Sequence, residues 1–488
     1  MGWLLVSCAQ ILKHRMVESV KSKDVMVQFV VHHPILRQIG EMADALQLET
    51  YVVGGFVRDL FLGRASKDID IVCVGDGMVL AEAVATYRGV PVRLFKSFGT
   101  AMLQWDGWVI EFVGARKESY LLTSRNPSVS TGTLSDDQMR RDFTINAMAI
   151  SLNKATYGQC IDPFHGQQDL IDGWLRTPCD PVQTFSDDPL RIMRAIRLAA
   201  QLNFRITPET LVAMTAVRDR LAIVAQERIT EELHKMMATD RPAYGFKLLF
   251  DTNLLSIVLP ELQKLSGKEQ IGYHSHKDNL LHTLEVLDNL VQHSAKLWLR
   301  WAAVFHDIAK PLTKQFDPVH GFSFHGHEEL GARMLPKLFK RLRFPTSKEA
   351  LGYVQKLVRL HLRPIALAKE VTDTAIRRLV YEAGDDLEDL FLLCKADITS
   401  KNEVKVQQYL ANLDRVQKRV VEVEARDQIR NFQPVITGAV IMETFALKPS
   451  AQVGRIKEAI KEAILEGKIK NEYQEAFDYM LMIGKCFL

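Results

Sequence analysis

Asp68 and Asp70 stand one residue apart in Lys67-Asp68-Ile69-Asp70-Ile71-Val72-Cys73-Val74, and this alternation predicts a strand that projects both carboxylates from one face. Two carboxylates aimed at one spot repel each other, and a divalent cation offsets that repulsion. All-oxygen ligation of this kind suits Mg²⁺. Upstream, Gly54-Gly55 follows the apolar Tyr51-Val52-Val53 and precedes a predicted helix. Bare backbone N–H groups and a helix N-terminus then form a phosphate cradle facing the same place. Arg58, one turn into that helix, can add a bidentate contact to a phosphate oxygen. Metal, cradle and arginine together imply a nucleoside triphosphate.

Glu111 lies in Trp108-Val109-Ile110-Glu111-Phe112-Val113, predicted as a strand that pairs beside the Asp68 strand. A third carboxylate there would orient metal ions or take the proton of an attacking hydroxyl.

A second constellation starts at His282, continues with His306-Asp307 and closes with Asp397; His325, His327 and His361 lie between them. An adjacent His-Asp pair inside an apolar helix is costly to bury without a partner. A lone histidine on a helix is usually a satisfied core residue, which is the expectation for His293. The series resembles an HD domain, a helical fold for phosphohydrolysis. That resemblance implies His282, His306, Asp307 and Asp397 as ligands of a divalent metal. Imidazole with carboxylate suits Mn²⁺, Ni²⁺ or Fe²⁺ better than Mg²⁺.

Gly54-Gly55 with Arg58-Asp59, the linker Gly63-Arg64 and Lys67-Asp68-Ile69-Asp70-Ile71 resemble the head of class II tRNA nucleotidyltransferases and bacterial poly(A) polymerases, within the DNA polymerase beta superfamily. Further blocks follow in that family's order. Arg140-Arg141-Asp142-Phe143-Thr144-Ile145-Asn146-Ala147 is similar to the block that grips the nucleotide, which implies Arg141, Asp142 and Asn146 as nucleotide-binding residues. Asp162-Pro163-Phe164 with Gly166 and Asp169 resembles the hinge between head and neck. Ser186-Asp187-Asp188-Pro189 is read as opening a helix that carries Arg191, Arg194 and Arg197 along one arc. In the family an aspartate and an arginine of this block act as an amino-acid template for the incoming base. The match implies that Asp188 and Arg191 pair with cytosine or adenine edges, while Arg194 and Arg197 shape the pocket and meet phosphates. The departure is Asp187, where the family more often has glutamate. Glu227-Arg228-Ile229 with Glu231-Glu232-Leu233 resembles the neck's closing motif. The stretch from Gln433 to Gly438 and Val453 to Lys457, with Lys461, Lys468 and Lys470, looks like the tail that holds tRNA.

At 488 residues and 47% hydrophobic content, the chain can bury several cores. Its 62 lysines and arginines against 59 acidic residues leave only +3, so RNA contact must use local patches. The cysteines at 8, 73, 160, 179, 394 and 486 form no C-x-x-C pair or zinc spacing, and reduced thiols in a cytoplasmic protein are expected. No run is long enough to span a membrane. Residues 1–30 are read as a leader and upstream start-site extension, with Met16 or Met26 as alternative starts.

A leader helix is expected to end near Leu48. The organisation that follows is an α/β head of the DNA polymerase beta-like nucleotidyltransferase type over 31–153, a helical neck with the nucleobase-recognition helix over 154–240, an HD-containing helical body over 241–400 and a helical tRNA-binding tail over 401–488. Helical periodicity is clear in Pro208–Leu221, Leu280–His293 and Val453–Glu466. The polar segment Lys117–Met139 reads as a mobile loop. In class II enzymes a flexible loop here is needed to add the terminal A.

The resemblance therefore implies template-independent addition of CMP, CMP and AMP from CTP and ATP to the tRNA 3′ end, with no membrane and no obligate protein partner. Two alternatives share the motifs: a poly(A) polymerase, and a metal-dependent phosphohydrolase whose head senses nucleotide. The basic block that poly(A) polymerases often carry after the D-x-D strand is absent, which disfavours the first.

Overall fold

The computed structural model describes residues 33–486, apart from 120–127, 272–273, 277, 368–371, 401 and 431. The start-site reading of residues 1–30 lies outside them. Two compact units emerge: one ends at Met236 and takes back Leu248–Ile257, and the other holds Met237–Lys247 and runs on from Val258.

In the first unit, α1 (Pro34–Ala45) opens on Pro34, whose fixed φ suits a first helical turn, and buries Ile35, Leu36, Ile39 and Ala43. It stops at Ala45 rather than near Leu48, because Gln47 turns into positive φ at 57°. Then come β1 (Glu49–Val53), α2 (Gly55–Phe61), β2 (Asp68–Val74), α3 (Gly77–Arg88), β3 (Val92–Phe95), β4 (Thr100–Trp105) and β5 (Trp108–Gly114). With β8 (Ala149–Ser151) and β9 (Cys160–Ile161) they form one sheet in the order β3-β4-β5-β2-β1-β8-β9. Only β2 and β5 run parallel.

Strand alternation gives the sheet two faces. Ile69 and Ile71 are fully buried on one, each contributing about 1.5–3 kcal/mol of transfer free energy. On the other, Asp68 and Asp70 precede Val72, which packs with Val53, Ala115 and Ala149 beneath Leu134. That face is closed at one end of β2 and open at the carboxylate end.

The segment expected to be a mobile loop is ordered on both sides of 120–127. β6 (Arg116–Ser119) pairs with β7 (Ser128–Thr131), and α4 (Leu134–Met139) begins at a capping box in which Thr133 and Asp136 satisfy each other's backbone N–H groups. Ser119, Ser128, Ser130 and Thr131 fall in these two strands, and Thr133 caps α4. A cap signature was there in Thr133 and Asp136, three residues apart.

Strand pairing also continues past the head, in Trp174–Leu175 against Arg205–Ile206. After α5 (Gly166–Asp172), Ser186 and Asp187 do not open the arginine helix: they close α6 (Pro181–Asp187), and α7 (Leu190–Leu202) starts beyond Asp188-Pro189. Pro189 lacks an N–H and resists continuation of α6, so the chain breaks there and restarts. The Pro208 helix ends at Ala216 and passes into a 3₁₀ turn over Arg218–Ile223. The helix α8 (Gln226–Met237) carries Glu232.

The second unit is helical. α9 (Asn279–Val291) is capped by Asp278 and buries Leu280, Leu287 and Leu290 along one stripe. α10 (Leu297–Phe305) has Trp301, Ala302, Ala303, Val304 and Phe305 all fully buried, so it is a core helix. α11 (His327–Arg341), α12 (Tyr353–Leu360), α13 (Leu387–Asp397) and the 25-residue α14 (Glu403–Asp427) follow, then α15 (Gly438–Phe445), α16 (Ala451–Leu465) and α17 (Tyr473–Gly484). His293, expected in the core, is exposed just beyond α9. Among the described residues no helix is long and apolar enough to cross a membrane.

Candidate active site and metal centre

The register of the sheet builds the first site. Asp70 on β2 lies opposite Val53 on β1 and Glu111 on β5, so Asp68, Asp70 and Glu111 share the open face. Burial raises the pKa of Asp70, and the like charge of Asp68 adds to it, partly offset by Arg141. Burial and Asp70 likewise raise Glu111. Carboxylates crowded on one face, with Asp70 and Glu111 holding their protons longer than usual, are what an ion site looks like before the ion, and the donor set, all oxygen, fits a hard divalent cation.

Gly54 links β1 to α2 at φ 77° and ψ −142°, a conformation open to glycine almost alone. A Cβ there would stand 2.8 Å from Asp70 Oδ2 and 3.4 Å from Arg141 Nη1. The backbone thus approaches the carboxylate and a guanidinium at once.

Behind the cradle runs a buried polar chain. Arg58 donates through Nε and Nη2 to Asp59, both at 2.9 Å, and through Nη1 to Asn146 Oδ1 at 2.9 Å. Its fork is therefore engaged by Asp59, so in this structure Arg58 braces α2. Asn146 Nδ2 donates to Asp142 Oδ1 at 3.0 Å, and Arg194 grips Asp142 Oδ2 through Nε at 2.8 Å and Nη2 at 2.5 Å. Burial alone would raise Asp142, but Arg194 and the hydrogen bond from Asn146 hold its carboxyl far below the usual range. Arg194 is correspondingly raised by Asp142. Arg58 of α2 and Arg194 of α7 are in this way tied through two intermediate side chains, Asn146 and Asp142.

Arg197 pairs with Glu232 of α8 at 2.6 Å, and Arg191 Nη2 donates to the Arg140 carbonyl at 2.6 Å. Asp188, between α6 and α7, accepts from the Leu190 N–H at 3.2 Å. Sequence reasoning passed over Asp137. It is wholly buried on α4 and receives both Arg140 and Arg141, the latter through Nε at 3.0 Å and Nη2 at 2.8 Å. The i,i+3 and i,i+4 spacing on a helix was its signal.

The second constellation lies in the other unit. His282 Nε2 is 2.9 Å from Asp397 Oδ1 and 3.6 Å from Asp307 Oδ2, while His306 Nε2 is 3.1 Å from Asp307 Oδ2 and 3.5 Å from Asp397 Oδ1. All four residues expected there meet. Two histidines not named as ligands join them: His327 Nε2 at 3.2 Å and His361 Nε2 at 3.9 Å from Asp307 Oδ1. They sit at helix ends without fixed spacing; only His361, between Leu360 and Leu362, had apolar flanks that hinted at burial, whereas His327 lies between Gly326 and Glu328. Despite burial, Asp307 pushes His306 up to about 10. Burial pushes His361 down to about 4. Nitrogen and carboxylate donors of this kind fit a divalent transition metal.

Residues 50–176 match the family described as the Poly A polymerase head domain, 203–265 the probable RNA and SrmB-binding site of polymerase A, and 279–402 the HD domain. The chain is 32% identical over 451 residues to a CC-adding tRNA nucleotidyltransferase of Thermus thermophilus, covering 89% of this chain and 93% of that one. The chain belongs to the tRNA nucleotidyltransferase family. Another relative, an A-adding tRNA nucleotidyltransferase of Deinococcus radiodurans, is 33% identical over 86% of this chain and 92% of its own. A Multifunctional CCA protein of Nitrosococcus oceani is 32% identical over 86% of this chain and 99% of its own. The fold of this tRNA nucleotidyltransferase is that of a solved CCA-adding enzyme in its apo form II, with a TM-score of 0.62, 21% identity and coverage of 96% and 98%.

Proposed function

We propose that the chain adds CMP, CMP and AMP in turn to the 3′ end of tRNA, using CTP and ATP. The 3′-hydroxyl oxygen attacks the α-phosphorus of the nucleotide, the P–O bond to the β-phosphate breaks, pyrophosphate leaves and the hydroxyl proton passes to base or solvent. The observation that carries this reading is the convergence of Asp68, Asp70 and Glu111 on one open sheet face beside the Gly54 backbone.

Asp68 and Asp70 would hold Mg²⁺, which when bound acidifies the 3′-hydroxyl and carries charge on the departing pyrophosphate. Glu111 orients the ions or accepts the hydroxyl proton. Gly54 and Gly55 present backbone N–H groups to the triphosphate, and Arg141 stands over it, held by Asp137. Asp142, Asn146 and Arg58 stiffen the link from cradle to α7. On α7, Arg194 and Arg197 shape the nucleotide pocket while Asp188 and Arg191 offer acceptor and donor to the base edge. Carboxylate and guanidinium have complementary hydrogen-bonding faces, so a base can pair with them as with a template.

The match to the Multifunctional CCA protein, which spans 99% of that relative, supports full CCA addition, and the CC-adding and A-adding relatives at 32% and 33% identity support its two halves. In the HD domain His282, His306, Asp307 and Asp397 would hold Mn²⁺, Ni²⁺ or Fe²⁺. A cytoplasmic location goes with a tRNA substrate.

The test is incubation with Mg²⁺ and tRNA lacking its 3′ CCA, supplying CTP, ATP or both, read on single-nucleotide gels. Two additions with CTP and a third only when ATP joins are expected. A CC product that ATP never extends, or addition of A only to tRNA already ending in CC, would reduce the activity to one half of the reaction. A long ladder with ATP alone would make the enzyme a poly(A) polymerase.

A further inference from the structure

The three arginines of α7 are not held alike. Arg194 is taken by Asp142 and Arg197 by Glu232. Arg191 instead donates to two main-chain carbonyls, through Nη2 to Arg140 at 2.6 Å and through Nη1 to Thr184 at 3.4 Å. The direction of its guanidinium is therefore set by backbone, and by the Arg140 carbonyl above all.

That carbonyl belongs to the peptide joining Arg140 to Arg141, and the side chains on both sides of this peptide fasten on one group. Asp137 Oδ1 accepts from Arg140 Nε at 3.0 Å and from its Nη2, while Oδ2 accepts from Arg141 Nε at 3.0 Å and Nη2 at 2.8 Å. Each oxygen thus receives one guanidinium edge, an arrangement that fixes direction as well as distance. Asp137 is fully buried, and although burial would raise its carboxyl, Arg141 and Arg140 lower it, so it remains ionised at neutral pH. The helix that carries it is itself pinned: Gln138 Nε2 donates to the carbonyls of Ala147 at 2.8 Å and Ile161 at 3.0 Å. Beyond the peptide, Arg141 Nη1 reaches the phosphate cradle, 3.4 Å from where a Gly54 Cβ would stand.

We infer that Asp137, which is shut away behind both arginines, is a positioning residue for nucleotide choice: through the Arg140–Arg141 peptide it aims Arg191 at the base edge, and through Arg141 it aligns the phosphates of the same nucleotide. The inference rests on the reading of Asp188 and Arg191 as partners of the base, and adds the group that sets the aim of Arg191. Cytosine and adenine both offer an amino group beside a bare ring nitrogen, whereas uracil has an N–H at that ring position. A guanidinium N–H rejects uracil only while it points at the ring nitrogen, so selection depends on what holds Arg191.

The test measures kcat and KM for CTP and UTP with the full-length chain, Mg²⁺ and tRNA lacking its 3′ CCA. Asp137→Asn keeps the side chain's shape but turns one acceptor into a donor, which releases one arginine. The ratio of kcat/KM for CTP over UTP should fall by about 10-fold or more in Asp137→Asn and in Arg140→Ala. A merely structural role would lower both nucleotides alike and leave the ratio unchanged. In Arg191→Ala the ratio is already lost, so adding Asp137→Asn should lower it no further. Asp136→Ala, which cuts the Thr133 cap at the start of the same helix, should leave the ratio as it is. Should Asp137→Asn fail to fold by circular dichroism, Arg140→Ala alone and combined with Arg191→Ala carries the same comparison. An unchanged ratio in either Asp137→Asn or Arg140→Ala, additive losses with Arg191→Ala, or an equal fall in Asp136→Ala would overturn the inference. An unsubstituted chain that uses CTP and UTP equally, or an Arg191→Ala chain that keeps the ratio, would instead overturn the base-pairing reading beneath it.

Discussion

Replacing Gly54 by alanine tests whether the cradle works through backbone geometry. At φ 77° and ψ −142° the added methyl imposes about 1–3 kcal/mol of backbone strain. It would also stand 2.8 Å from Asp70 Oδ2, inside any real Cβ contact, so either the carboxylate turns or the Gly54 peptide shifts. A domain with roughly 5–15 kcal/mol of stability survives that strain. The reacting groups do not keep their places, and a displacement near 1 Å costs on the order of 100-fold in rate. Gly63→Ala is the control: its φ is 62°, yet nothing lies within 4 Å of its Cβ. Single-turnover incorporation of CMP should fall about 100-fold or more in Gly54→Ala and stay near normal in Gly63→Ala, while both melt a few degrees lower. Normal transfer in Gly54→Ala, or equal losses in the two variants, would refute the reasoning.

Other substitutions separate charge from shape. Asp70 has a raised pKa, so its ionised form opposes folding of the metal-free chain above the ordinary carboxylate range, and protonation relieves this as pH falls. Asp70→Asn should abolish transfer, leave tRNA affinity within a few-fold, and raise the melting temperature of the metal-free chain at pH 7 but not in acid. Asp142 shows the opposite sign: its lowered pKa stabilises the fold above about pH 4, an advantage lost on acidification below it. Asp142→Asn should destabilise by roughly 1–3 kcal/mol at neutral pH, discounted because Arg194 is 38% exposed, with the difference shrinking in acid melts. It should also raise KM for both nucleotides as Arg194 loses its anchor.

Alternation in Lys67–Val74 determined from sequence alone that Asp68 and Asp70 share a face, because side-chain direction in a strand is a local property with a period of two. Gly54 and the His306-Asp307 pair were legible for similar reasons: a backbone constraint and an uncompensated burial cost each show in a few adjacent residues. The helices α9 and α16 followed from their apolar stripes. Local pattern could not reveal which distant groups meet. Glu111 was placed beside the aspartate strand in outline, but its registry with Asp70 is decided by a parallel pairing across some forty residues of chain. Asp137 became an anchor only when α4 packed over the sheet, and Arg58 proved to be held by Asp59 and Asn146 rather than free for phosphate. His327 and His361 gained their meaning from α11 and α12 converging on Asp307. Sequence carries the chemistry each residue can offer, whereas the partners that set its charge and direction come from contacts the chain makes only when its elements pack.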